Sequence, residues 1–123
     1  MVEVICDTSF LIVLATKPVK KFDELENEIG KIDFVVPSLV INELGELVRT
    51  AAVKRSNAAR LALELAKKFK TIQFQGTSAD EAIIDYASKQ KCLVATIDDA
   101  LRNKLRSNGI SVITLTNDKL IVV

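Results

Sequence analysis

Histidine and tryptophan are both absent from this 123-residue chain, and aromatic side chains make up only 5% of it. Without imidazole there is no His-dependent nucleophilic triad, no imidazole base and almost none of the ligand sets that zinc hydrolases use. Hydrolytic chemistry here has to rest on carboxylates. Two cysteines are too few for a disulfide scaffold or a four-cysteine zinc site. Cys6 and Cys92 both stand in apolar, strand-like runs and read as buried thiols, with a bridge of the hyperthermophile kind as the alternative. The four glycines, at 30, 45, 76 and 109, are isolated, so no Gly-rich loop is available to cradle a nucleotide phosphate. No apolar run reaches the ~20 residues needed to cross a bilayer, and the opening MVEVICDTSF lacks the basic stretch of a signal peptide. A cytoplasmic protein with no membrane partner is expected.

Charge of either sign is also in short excess: 17 basic residues against 16 acidic give a net +1. The whole chain therefore exerts no strong pull on phosphate, and any RNA-binding surface has to be a local patch. What the chain does have is aliphatic bulk. With 49% hydrophobic residues, rich in Val, Ile, Leu and Ala, it can build one sizeable core, and a single domain over 1–123 is expected.

Along the chain, strand-like and helix-like patterns alternate. Val2 to Cys6 reads as a buried strand, with Asp7-Thr8-Ser9 able to cap a helix begun by Phe10-Leu11-Ile12. Phe22, Leu25 and Ile29 have helical spacing and Gly30 stops them; Phe34-Val35-Val36 then makes a second strand. Pro37-Ser38 opens a helix with an apolar face of Val40, Leu44, Leu47 and Val48, placing Glu43 one turn in. A basic, small-residue joint is expected from Arg49 to Ser56, followed by an amphipathic helix whose apolar face runs from Ala58 to Phe69. Thr71 to Phe74 alternates like a strand, and Ser78-Ala79-Asp80-Glu81 matches a capping box for a helix through Lys89. Leu93 to Thr96 is the fourth strand, Asp98 leads into a helix through Leu101 and Leu105, Asn108-Gly109 ends it, and Ser111 to Leu115 is a fifth strand. Leu120 to Val123 adds an edge strand. Such alternation calls for right-handed crossovers and a mostly parallel sheet covered on both faces, an α/β fold.

In open parallel sheets, ligands bind beyond the carboxyl ends of the strands. Asp7 and Asp98 sit at two strand exits, while Glu43 and Asp80 lie early in the helices that follow two others. Four carboxylates at one sheet edge repel one another until a cation relieves them, and hard oxygen donors favour Mg²⁺ or Mn²⁺ over zinc. The chemistry that follows is in-line attack on a phosphodiester by a metal-activated water. Taken singly, each carboxylate also has a purely structural explanation: Asp after a strand caps helices, Glu on a helix is usually solvated, and Asp80 suits the dipole of its first turn. Asp99, next to Asp98, is an auxiliary ligand candidate.

The ordered set resembles the PIN-domain family. Cys6-Asp7-Thr8-Ser9-Phe10-Leu11, Val36-Pro37 through Glu43-Leu44, Ser78-Ala79-Asp80 and Ala95-Thr96-Ile97-Asp98 follow that family's order over almost the whole chain. The resemblance implies a three-layer α/β/α domain and a Mg²⁺- or Mn²⁺-dependent endoribonuclease with Asp7, Glu43, Asp80 and Asp98 as catalytic metal ligands. It further implies supporting hydroxyls at Ser9 and Thr96. Many family members carry Asn where this chain has Ser9, a shorter side chain with one hydroxyl in place of an amide. The segments Ala58 to Ala66 and Leu101 to Arg106 look closest to the branch that processes ribosomal RNA. The toxin ribonucleases of toxin–antitoxin pairs are the near rival through Asp7-Thr8-Ser9-Phe10-Leu11-Ile12. A precursor rRNA or other single-stranded RNA is the expected substrate, and an antitoxin or a ribosome-assembly factor the expected protein partner.

Among the basic residues, Arg55 and Arg102 are the candidates for RNA phosphate contacts. Exposed Ile12, Leu14 and Leu120-Ile121-Val122-Val123 would suit a homodimer surface. Two other classes of function compete. A catalytically silent RNA-binding or assembly module would not need the intact four-carboxylate set. A receiver-type domain would need an acidic pair before its phosphorylated Asp, and only Glu3 precedes Asp7.

Overall fold

The computed structural model describes residues 1–76 and 78–123. Strand β1 (Val2–Cys6) is flanked on both sides, by β2 (Ile32–Pro37) and β4 (Leu93–Ala95), both parallel to it. That position explains its sequence: Val4, Ile5 and Cys6 are fully buried, as a strand covered on both faces requires. The sheet order is β3-β2-β1-β4-β5-β6, with β3 (Lys70–Ile72) at one edge and β5 (Val112–Thr116) and β6 (Lys119–Val122) at the other. Every neighbouring pair is parallel except β5 and β6, a hairpin whose Asn117 and Asp118 both take positive φ, +52° and +63°. Two left-handed residues in a tight hairpin match the twist of the strands, and Asn and Asp tolerate that conformation best after Gly.

The crossovers run outward in two directions from the centre. From β1 the chain passes through α1 (Thr8–Thr16) and α2 (Phe22–Ile29) to β2, then through α3 (Ser38–Thr50) and α4 (Val53–Ala66) to β3. It returns through α5 (Ala79–Gln90) to β4 and through α6 (Asp99–Ser107) to β5. Right-handed crossovers in opposite directions put the two groups of helices on opposite faces, which yields the three-layer α/β/α arrangement. On the first face α1, α3 and α4 pack on one another. There Phe34 sits among Phe10, Phe22 and Phe69, with ring centroids 5.9, 6.1 and 5.2 Å away. On the second face Ile83 and Ala87 of α5 and Leu101 and Leu105 of α6 are buried.

Helix α2 spans the expected residues and stops at Gly30, whose φ of +103° would strain any other residue. Three expectations need correction. The joint expected from Arg49 to Ser56 is only Ala51-Ala52: α3 continues to Thr50 and α4 begins at Val53, because Arg and Lys are good helix formers and Ser56 Oγ stitches the corner by donating to Val48 O at 2.7 Å. Strand β3 stops at Ile72 instead of Phe74, since the Phe74 amide donates to Ser38 Oγ at 3.0 Å and leaves the ladder. Phe69 falls beyond α4, in the turn where its amide donates to Ala66 O. At the far edge Leu120 is buried while Ile121, Val122 and Val123 are 38–39% exposed, so the apolar edge surface is narrower than the sequence implies. Both cysteines are free; in register Cys6 faces Ala95, three residues past Cys92. Among the described residues, no helix is long and apolar enough to cross a membrane.

Candidate active site

The strand order reverses direction between β1 and β4, and a crevice opens beyond their carboxyl ends at such a switch point. Asp7 leaves β1 there and Thr96 leaves β4, side by side because Cys6 and Ala95 are register partners and Asp7 N donates to Ala95 O at 3.1 Å. Asp7 is the N-cap of α1: its Oδ1 accepts from the Phe10 amide at 2.8 Å. Ser9 Oγ lies 2.9 Å from both carboxylate oxygens, and Thr96 Oγ1 donates to Oδ2 at 2.5 Å. The same Thr96 hydroxyl accepts from the Asp98 amide at 3.0 Å, and Ser9 Oγ accepts from the Ile97 amide at 3.2 Å. Ser9 and Thr96 thus bind the exit of β1 to the exit of β4 and fix both oxygens of Asp7.

A cap needs none of this burial, yet Asp7 is only 6% exposed. Burial pushes its carboxyl up from the usual 3.8 to about 6, against the pull of the Thr96, Phe10 and Ser9 donors, and the Asp80 carboxylate adds to the rise. Glu43, Asp80 and Asp98 by contrast are exposed. Asp98 also caps a helix, its Oδ1 accepting from Leu101 N at 3.0 Å. Asp80 stands in the first turn of α5, whose N-cap Ser78 accepts from the Glu81 amide.

All four carboxylates line one cleft of about 250 Å³, together with Thr8, Ser9, Ile12, Val40, Arg55 and Ala79. A larger hollow of about 540 Å³ lies at the opposite, amino-terminal edge of the sheet, lined by residues such as Lys91, Cys92 and Ser111 and by no carboxylate. Chemistry, not size, picks out the smaller one. Asp99 is not in that lining; it pairs with Arg102 at 2.7 Å one turn along α6, so neither residue faces the cleft unengaged. Arg55 does line the cleft, and among the described residues it makes no ion pair. Sequence reasoning passed over Thr8, whose buried Oγ1 has no hydrogen-bond partner among the described residues.

The donor set suits a hard cation: it is all oxygen and multiply anionic, with no His or Cys in the cleft. Among the described residues, no group of three or more His, Cys, Asp or Glu side chains stands close enough together to hold a metal ion between them. Mg²⁺ characteristically binds through one or two carboxylates and keeps several waters, so an open cleft of this kind fits it.

A family model described as a PIN like domain matches residues 4–118. Ribonuclease VapC4 of Methanocaldococcus jannaschii is 32% identical, over 97% of this chain and 94% of that protein. Ribonuclease VapC9 of Archaeoglobus fulgidus is also 32% identical, over 78% of this chain and 70% of its own. The solved structure of the PIN domain endonuclease Utp24 superposes with a TM-score of 0.77 at 30% identity, covering 98% of this chain and 90% of that one. With the strand order, the switch-point carboxylates and these matches together, the chain belongs to the PIN-like domain family.

Proposed function

We propose that this chain is a divalent-metal-dependent endoribonuclease that hydrolyses RNA phosphodiester bonds in the cleft between β1 and β4. The observation that carries the reading is Asp7: a buried carboxylate oriented by Ser9 and Thr96, in one cleft with Glu43, Asp80 and Asp98. Its relatives named as ribonucleases and as an endonuclease support the same activity.

Asp7, Glu43, Asp80 and Asp98 are the residues that would hold Mg²⁺ or Mn²⁺. Such an ion supplies charge neutralisation at the phosphate and lowers the pKa of a water. The protein's own contribution is preorganisation. Two hydroxyls and an amide fix Asp7 before anything binds, so no reorganisation is needed when charge develops. Asp80 raises the carboxyl of Asp7, a repulsion that a bound cation would relieve. Arg55, on the same wall, offers a positive group to a phosphate in a cleft that would otherwise repel RNA.

The finer assignment we propose is a precursor ribosomal RNA or other single-stranded RNA, supported by the likeness of Ala58 to Ala66 and Leu101 to Arg106 to the branch that processes ribosomal RNA. The VapC relatives support a toxin-type role with an antitoxin partner as the second reading. End-labelled single-stranded RNA, precursor rRNA, duplex RNA and single-stranded DNA, each with Mg²⁺, Mn²⁺ or chelator, test the activity and its substrate class together. Internal RNA cleavage that the chelator abolishes is the expected result; cleavage that persists in chelator would contradict the proposal.

A further inference from the structure

Across α3 from the acidic cleft, a second hollow of about 410 Å³ opens between that helix, the end of α4 and the edge strand β3. Val40 and Glu43 line the cleft, whereas Ser38, Ile41 and Asn42 line this hollow, so the first turns of α3 are a wall the two share. The chain that follows β3 joins them as well: Gln73 and Phe74 line the hollow, and Ala79 and Asp80 the cleft. A helix is about 10–12 Å across, which puts the two within reach of neighbouring nucleotides of one RNA strand.

Three side chains here do little for the fold. Phe74 is half-buried yet is not packed on the hydrophobic core; its ring meets Tyr86 edge-on, with centroids 5.6 Å apart and planes at 88°. An edge-on pair leaves at least one face of the Phe74 ring uncovered by Tyr86. The Phe74 backbone is fixed by its amide donating to Ser38 Oγ. Asn42 and Gln73 are exposed, and their side chains make no hydrogen bond among the described residues. Asn is moreover a weak helix former, and this one stands inside α3. Among the described residues, the one charged group in the lining is Lys67, so the hollow, unlike the cleft, carries no carboxylate.

We propose that this hollow is a nucleobase subsite, taking an unpaired base beside the bond being cut, with Phe74 as its stacking surface and Asn42 and Gln73 reading the base edge; this rests on the endoribonuclease reading above. Unpaired RNA bases are recognised by stacking on aromatic rings and by hydrogen bonds to their edges. An amide presents a donor and an acceptor together, as those edges do. The volume of about 410 Å³ lies within the range of small-ligand sites, roughly 300–1,000 Å³. Lys67 beside it attracts the phosphate backbone that carries the base. Phosphate contacts carry no sequence information and base contacts do, so a base held across α3 sets which bond of the strand reaches the carboxylates.

Cleavage of a randomised pool of single-stranded RNA in Mn²⁺, with the bases flanking every cut read by sequencing, tests this on wild type, Asn42→Ala, Gln73→Ala and Phe74→Leu, alongside thermal melts. The expected result is a wild type that favours particular bases at one fixed position beside the cut. Folded variants should lose the preference at that position alone and cut the preferred RNA about 10-fold or more slowly. Wild-type cutting with no base preference beside the cut overturns the proposal. So do variants that keep the wild-type preference, and variants slowed equally on every sequence. A wild type that cuts no RNA at all overturns the endoribonuclease reading itself, a different result from cutting that is indifferent to sequence.

Discussion

Thr96 Oγ1 donates to Asp7 Oδ2 at 2.5 Å across 89 residues of chain, joining the exits of the two central strands at the point where the sheet changes direction. The same hydroxyl accepts from the Asp98 amide, so one side chain sets both the buried carboxylate and the start of the loop that presents the second.

Thr96→Val keeps the shape of a fully buried side chain and removes both bonds. Leaving a buried carboxylate short of a donor costs on the order of 1–3 kcal/mol of stability. Losing a group that orients a ligand should reduce cleavage by about 10–100-fold. Thermal melts and single-turnover rates measure the two effects separately.

Protonation of Asp7 gives the pH dependence. Its folded pKa, about 6, lies above the unfolded value, so the folded protein holds an extra proton between roughly pH 4 and 6. The stability tied to that proton is present in full below pH 4 and is lost as pH rises through 6 in the metal-free protein. Function has the opposite sign: an acidic group that must be ionised to hold metal loses it as pH falls through 6. Mn²⁺ affinity should drop below pH 6, and the acid limb of the cleavage profile should move to lower pH as Mn²⁺ is raised. Metal-free Asp7→Asn should lack the stability change over pH 4–6, as read by melts across that range.

Asp98 both caps α6 and lines the cleft, and the two roles come apart by substitution. Asp98→Asn keeps a good cap and should melt close to wild type, whereas Asp98→Ala should lose about 1 kcal/mol. Both should lose RNA cleavage to a similar degree. Chemical denaturation alongside a cleavage assay decides it.

Arg55 and Arg102 should behave differently although both are arginines near the site. Arg55→Ala removes a cleft-lining charge that makes no ion pair among the described residues, so RNA binding should weaken and the slope of log affinity against log salt should shrink by about 1. Arg102→Ala removes a guanidinium already held by Asp99 and should change RNA affinity little. Fluorescence anisotropy with labelled RNA at several salt concentrations separates the two.

Much of this was legible where signals are local. Val2 to Cys6 is one apolar run, Phe22 to Ile29 ends on a glycine, and Asp7 and Asp98 each precede a helix they cap. Strand alternation with helices gave the parallel sheet, and from it the expectation that strand exits share one edge; the four carboxylates do line one cleft. What depends on distant contacts was not legible. Ser56 reaching back to Val48 shortens the joint between α3 and α4, and Ser38 capturing the Phe74 amide shortens β3. The partner that holds Asp7 is Thr96, at the exit of β4 and 89 residues away in the chain, and Arg102 meets Asp99 through rotamers that periodicity does not specify. Thr8 looked like one more capping polar residue; only the packed structure shows its oxygen buried with no hydrogen-bond partner among the described residues.

The most direct test of the central claim is cleavage of end-labelled single-stranded RNA by wild type and Asp7→Asn in Mn²⁺, with Mn²⁺ binding to both measured by calorimetry. The account predicts metal-dependent internal cleavage by wild type, together with loss of both cleavage and tight Mn²⁺ binding in a variant that still folds. An Asp7→Asn protein that cleaves and binds Mn²⁺ as wild type does would contradict it.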